Sequence, residues 1–289
     1  MEDRKEKTLR AAGILLFVLL LVCIWLPAQL KNPAKSGYDV VLLGDSIFAH
    51  AQGEGSLADE LSSLSGLRVA DASFGGSAMA YRDLAASPMN LADTFCMAAL
   101  SQAICARDFR VQKSAEIHEV ATEYFPERIR FLETVDLAGS QVLLIDHLAN
   151  DYFSGVPIED GADPYNEYTY AGALRSSIRR LRKTCPDLRI ILVSCGFVWY
   201  TGEGETGETR DCGGGTLPEY VAAQEALARE LGLEWIDLYH GVYPGAGERD
   251  DPELWMTYTA DGVHPDGEGQ RLIAKRIAEY LTGETPDGE

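Results

Sequence analysis

The chain has 289 residues, 46% of them hydrophobic and 24% charged, which is enough for one sizeable buried core. Its formal net charge is −20, and because residues 1–30 carry four basic and three acidic side chains, the remainder stands at −21. So acidic a surface repels phosphate backbones and argues against nucleic acid as a partner. No Walker or dinucleotide-binding glycine pattern and no paired metal-ligand motif is present, so no cofactor and no metal are expected.

Arg4, Lys5, Lys7 and Arg10 precede an uncharged run over residues 11–30, whose helical length matches the hydrocarbon thickness of a bilayer. Only Lys31 and Lys35 follow closely, so the charge bias places residues 1–10 in the cytoplasm and everything after the span outside it, on the cell membrane. A cleaved signal peptide, giving a secreted protein, is the alternative. The run is long for such a peptide, and Leu26 fits poorly three places before a cut after Ala28, so an uncleaved single-pass anchor is favoured. Cys23 follows the bulky Val22, which disfavours lipidation. Residues 31–37 read as a linker, 38–282 as one catalytic-size domain and 283–289 as a tail.

Short apolar runs then alternate with amphipathic segments. Strands are expected at 38–44, 67–74, 141–146, 188–195 and 233–238, and helices at 56–65, 114–136, 170–184, 218–231 and 266–281. Runs too short to be buried helices, separated by helices, predict a mainly parallel five-stranded sheet in a three-layer α/β/α domain. The stretch from Arg82 to Lys113 exceeds what one crossover needs and reads as an extra helix packed on the core, with a lid as the other reading. In the glycine- and acid-rich loop 196–216, Phe197, Trp199 and Tyr200 are candidates for a pocket, though aromatics at a strand end are more often core. Arg175 to Lys183 carries several basic residues among apolar ones and reads as an ordinary helix face. Beyond the anchor stand Cys96, Cys105, Cys185, Cys195 and Cys212, an odd number with no zinc-like spacing. Cys96 with Cys105, or Cys195 with Cys212, can pair in an oxidising space; free buried thiols are the equal alternative.

Two motifs at opposite ends of the domain carry chemistry. The first strand ends at Gly44-Asp45-Ser46, and Asp261-Gly262-Val263-His264-Pro265 sets a carboxylate and an imidazole three residues apart before the last helix. A nucleophile, a base and an orienting acid are the roles serine acyl transfer requires. Gly75-Gly76 follows the second strand and Asn150-Asp151 the third, so one sheet edge gathers them all. Each has a simpler alternative: Ser46 as a helix N-cap, Asp261 and Asn150 as turn residues, Gly75 and Gly76 as a tight turn.

Together these blocks resemble the SGNH (GDSL) hydrolase superfamily over nearly all of residues 38–282. Gly44-Asp45-Ser46-Ile47 is similar to its first block, Asp71-Ala72-Ser73-Phe74-Gly75-Gly76 to its second, Ala149-Asn150-Asp151 to its third, and Asp261 with His264 to its final Asp-x-x-His. The resemblance implies a flavodoxin-like fold, Ser46, His264 and Asp261 as catalytic residues, and an oxyanion hole from the backbone N–H groups of Ser46 and Gly76 and the side chain of Asn150. Leu148 stands where the third block usually has glycine, and Asp71 where the second commonly has asparagine. His50, His118, His147 and His240 are read as having no acid at that spacing within a recognisable block: His118 as a solvated helix residue, His50 and His147 as pocket residues at most.

The resulting expectation is a membrane-anchored, extracytoplasmic serine esterase, removing acetyl or other short acyl groups from carbohydrate. The same site suits a lipase acting on lipid or an O-acyltransferase, and a non-catalytic binding module on a hydrolase fold is the alternative of another class.

Overall fold

A computed structural model of the chain describes residues 37–82, 93–115, 123–245, 254 and 256–283. The anchor expected at 11–30, most of the linker, His118 and most of the tail lie outside the described residues, among which no helix is long and apolar enough to cross a membrane.

Five strands form a wholly parallel sheet: β1 (Val40–Gly44), β2 (Val69–Asp71), β3 (Val142–Asp146), β4 (Arg189–Val193) and, numbered after a short hairpin, β7 (Glu234–Ile236). Their order is β2-β1-β3-β4-β7. Every residue of β1 and β3 is buried, which is why both read as unbroken apolar runs: helices cover both faces. On one side α2 (Leu57–Ser65) packs against the last helix, α9 (Gly267–Thr282). On the other, α3 (Met97–Ala106), α7 (Tyr170–Thr184) and α8 (Leu217–Leu231) pack together. Three layers result.

Local chemistry sets the helix ends. Ser56 accepts from the Asp59 N–H at the start of α2, Thr169 from Gly172 at α7, and Asp266 from Gly269 at α9. At α8 the Glu219 carboxylate accepts from the Thr216 N–H in a capping box.

The chain departs from its sequence reading in a few places. The second strand leaves the ladder after Asp71, yet Ala72 and Phe74 still donate to the Leu42 and Gly44 carbonyls at 2.8 and 3.0 Å, carrying Gly75 to the end of β1. Of the helix expected at 114–136, residues 116–122 lie outside the described residues and α5 (Phe125–Thr134) is its helical part; α4 (Arg110–Ser114) stands before it, Ala115 and Val135 are extended, and Pro126 in the first turn suits a helix start. Within 82–113, α3 is the packed helix, with Met97, Leu100 and Ile104 buried. The loop 196–216 contains the antiparallel hairpin β5 (Trp199–Tyr200) and β6 (Glu205–Thr206). Phe197 and Trp199 belong to the core, Phe197 stacking on Tyr239 at 5.8 Å. All five described cysteines are free, so neither candidate disulfide forms. On α7, Arg175 has a largely buried side chain and pairs with Glu159 and Glu230, while Ser176, Ser177, Ile178 and Leu181 of the same stretch are buried.

Candidate active site

Strand order reverses between β1 and β3, and the loops at the carboxyl ends of those strands form the crevice where such sheets bind ligands. Gly44 is dictated by close approach, since a Cβ there would lie 2.8 Å from the Asp146 carbonyl and 3.0 Å from Phe48. Asp45 caps the four-residue helix α1 (Ser46–Ala49) by accepting from the Ile47 N–H at 2.8 Å. Capping thus falls to Asp45, and the Ser46 hydroxyl stays out of it. That hydroxyl lies 2.9 Å from His264 Nε2.

His264 Nδ1 lies 2.7 Å from Asp261 Oδ2, and Asp261 Oδ1 accepts from the N–H groups of Val263 and His264 at 3.0 and 2.8 Å. A carboxylate at Nδ1 requires the hydrogen on that nitrogen, which leaves Nε2 to accept from Ser46. Against the upward pull of partial burial, the bonds from the His264 N–H and ring and the His264 charge hold the Asp261 carboxyl below its ordinary value. Gly262, at φ 91°, shapes the turn between them; a Cβ there would meet the Trp199 carbonyl at 2.2 Å, and its own carbonyl accepts from the Trp199 N–H at 2.9 Å. The hairpin β5–β6 therefore holds the histidine loop. It also reaches α6 (Ala149–Phe153), through a 2.8 Å bond from the Tyr200 hydroxyl to that of Tyr152.

Asn150, on α6, donates from Nδ2 to Asp45 Oδ2 at 3.1 Å, which leaves the second amide hydrogen available. Burial pushes Asp45 up to about 6, against the Ile47 N–H, the His264 charge and the Asn150 amide. Among the described residues nothing accepts from the N–H of Ser46 or Gly76. The two departures from the family pattern are both accommodated. Leu148 has φ −161°, extended backbone open to any side chain, and packs in the core. Buried Asp71 is matched by Arg128, which donates to its carboxylate at 2.7 Å and also to its carbonyl.

Several contributors carry no sequence motif. Arg128 and Tyr124 lie one turn apart, where α5 begins, and together grip the second loop, the Tyr124 hydroxyl accepting from the Gly75 N–H at 2.9 Å. Asp151 accepts from the N–H groups of Met79 and Ala80 at 2.6 and 3.0 Å, fixing the same loop from the other side; burial pushes its carboxyl up to about 7. His50 stacks on His264, with ring centroids 4.9 Å apart and planes 16° from parallel.

The other two described histidines are elsewhere. His147 is wholly buried against Ser77, and burial presses its pKa down to about 3. His240 corrects the sequence reading, because Asp237 stands three residues before it and its Oδ2 lies 2.8 Å from His240 Nδ1. The turn repeats that of Asp261 and His264, but its histidine is exposed and among the described residues no serine bonds to the His240 ring; Ser194 reaches Asp237 instead, at 3.5 Å. Among the described residues no cluster of His, Cys, Asp or Glu is arranged to hold a metal ion.

Residues 42–272 match the model of the GDSL-like lipase/acylhydrolase family. The chain belongs to that family. Membership makes this GDSL-like protein a carboxylic ester hydrolase. No curated protein matches it. Among solved structures it resembles a protein from Lactobacillus plantarum (TM-score 0.58, 18% identity, covering 86% of this chain and 98% of that one). It is also similar to a possible lipase from Chitinophaga pinensis (TM-score 0.51, 17% identity, 84% and 97%). A GDSL-like lipase structure from Parabacteroides merdae is comparable (TM-score 0.51, 16% identity, 87% and 98%). At these identities the likeness is one of fold.

Proposed function

We propose that the protein is a serine esterase in which Ser46 is the nucleophile, His264 the general base and acid, and Asp261 the group that orients the imidazole and stabilises its cation. The observation that carries this reading is the continuous line Asp261 Oδ2, His264, Ser46 Oγ, with separations of 2.7 and 2.9 Å. Ser46 Oγ attacks the ester carbonyl carbon while its proton passes to His264 Nε2. The oxyanion is met by the N–H groups of Ser46 and Gly76 and the second amide hydrogen of Asn150. Collapse of the intermediate breaks the carbon–alkoxide bond, and Nε2 returns the proton to the leaving oxygen. Water then repeats the sequence on the acyl-enzyme.

The preferred substrate in this reading is a short acyl ester, above all an O-acetyl group on carbohydrate. Support comes from the loop beside Ser46: a Cβ on Gly75 would lie 3.8 Å from the Ser46 Cβ and 3.0 Å from the Tyr124 hydroxyl, which sets a polar group near the nucleophile. The apolar run at 11–30 and the basic residues before it support a single-pass anchor with the catalytic domain outside the cytoplasm.

Hydrolysis of p-nitrophenyl esters from acetate to palmitate, by the full chain and by Ser46→Ala, tests both parts. Activity should fall off beyond the shortest chains and drop on the order of 10⁴-fold or more in the variant. An unchanged rate in Ser46→Ala refutes the serine mechanism, and a long-chain optimum refutes the short-acyl preference in favour of a lipase.

A further inference from the structure

We propose that His50 is a positioning residue for the reaction: its ring, laid on the face of His264, fixes the plane of the base and stabilises the cation that base becomes. The inference rests on the esterase reading above and deepens it.

Ser46 opens α1 and His50 closes it, four residues apart, so both side chains leave the same face of one helical turn. Asp45 caps the start of this turn, and the Gln52 amide donates to the Ala49 carbonyl at 2.6 Å at its end, so the turn is held at both ends. His264 thus meets this single turn twice. Ser46 takes its Nε2 edge at 2.9 Å, and His50 takes its face at 4.9 Å between centroids. Asp261 holds the opposite edge at 2.7 Å. Two edge bonds leave the ring free to rock about the line joining them, and a stacked partner is what removes that freedom.

The contact also has an electrostatic consequence. When Ser46 Oγ bonds to the carbonyl carbon, its proton reaches His264 and the imidazole becomes a cation, while His50 takes no proton. A neutral aromatic face beside that cation is favourable, whereas a second charge is not. Loss of water from part of its ring, and then the nearby His264 charge, press the His50 pKa below the ordinary histidine value, with Asp261 pulling the other way. His50 is therefore kept neutral at pH 7.

The test compares kcat and KM for p-nitrophenyl acetate in the full chain, His50→Ala and His50→Phe, with thermal melting of each. Truncation to alanine should lower kcat about 3- to 10-fold, the range expected of one aromatic pair, with KM moved less than about 2-fold. Phenylalanine, which restores the ring without the titratable nitrogens, should recover most of the lost kcat. The downfield N–H proton resonance of His264 gives a second readout: it should broaden in His50→Ala and sharpen again in His50→Phe. The proposal fails if His50→Ala keeps its kcat, if the loss lies in KM alone, or if phenylalanine is as impaired as alanine. An unmutated chain inert toward esters and toward fluorophosphonate would overturn the esterase reading as well, which separates the two failures.

Discussion

At the scale of single residues, Asn150 is divided between two tasks. One amide hydrogen ties α6 to Asp45, and in the proposed mechanism the other meets the oxyanion. Asn150→Ala should lower kcat on the order of 10²- to 10³-fold on p-nitrophenyl acetate while KM changes little. A loss carried by KM would instead assign Asn150 to ground-state binding. The residues proposed to react could be picked out of the sequence because each ends a strand or opens a turn in a short, recognisable string. Tyr124 could not be, and His50 reads there as a pocket residue at most, with no link to His264. Tyr124 meets Gly75 across 49 residues, a distance no local pattern spans. His50 did carry a signal, its four-residue spacing from Ser46, but that spacing has meaning only once His264 is known to lie against the same turn.

Among elements, the hairpin β5–β6 and helix α5 shape the site without entering it. Gly262→Ala would drive a methyl group into the Trp199 carbonyl and force a left-handed backbone on alanine. It should cost roughly 1–3 kcal/mol in thermal or denaturant melting, and more than that in activity because His264 moves with the loop. Helix α5 carries Arg128, whose guanidinium neutralises an Asp71 carboxylate buried at the end of β2. Arg128→Ala strands that charge and should destabilise the fold by about 3 kcal/mol, whereas Asp71→Asn, which keeps an acceptor for the Ser73 N–H, should cost less. Denaturant titration of both variants separates them; equal losses would mean that the pair itself is not what matters. The main strands and helices announced themselves by length and capping residues. With two residues per strand the hairpin is too short for periodicity, and a run of apolar and polar residues continued the helix expected at 114–136 past its described ends.

For the molecule as a whole, the crevice sits above an unusual concentration of buried acid. Burial pushes the carboxyl of Asp45 up to about 6, that of Asp151 up to about 7, and that of Asp146 well above the ordinary value, with Asp45 adding to the last two. A carboxyl raised in the folded state holds its proton where the unfolded chain has lost it, so the contribution of these groups to stability is most favourable below the ordinary carboxylate value, near pH 4, and declines as pH rises toward about 7. Melting temperature should therefore fall between pH 5 and pH 8, in the same direction as the self-repulsion of a chain at net −20. Asp146 separates the two causes, because neither of its carboxyl oxygens has a hydrogen-bond partner among the described residues. Asp146→Asn should make the decline shallower; an unchanged slope would assign it to surface charge alone.

The most direct test of the central claim is mass spectrometry of the full chain after exposure to a fluorophosphonate, which phosphonylates an activated serine and displaces fluoride. A single adduct on Ser46 is predicted, absent in Ser46→Ala and formed on the order of 10³-fold more slowly, or worse, in His264→Ala. An adduct at another residue, or one that forms on Ser46 at the same rate without His264, would contradict the assignment of this site.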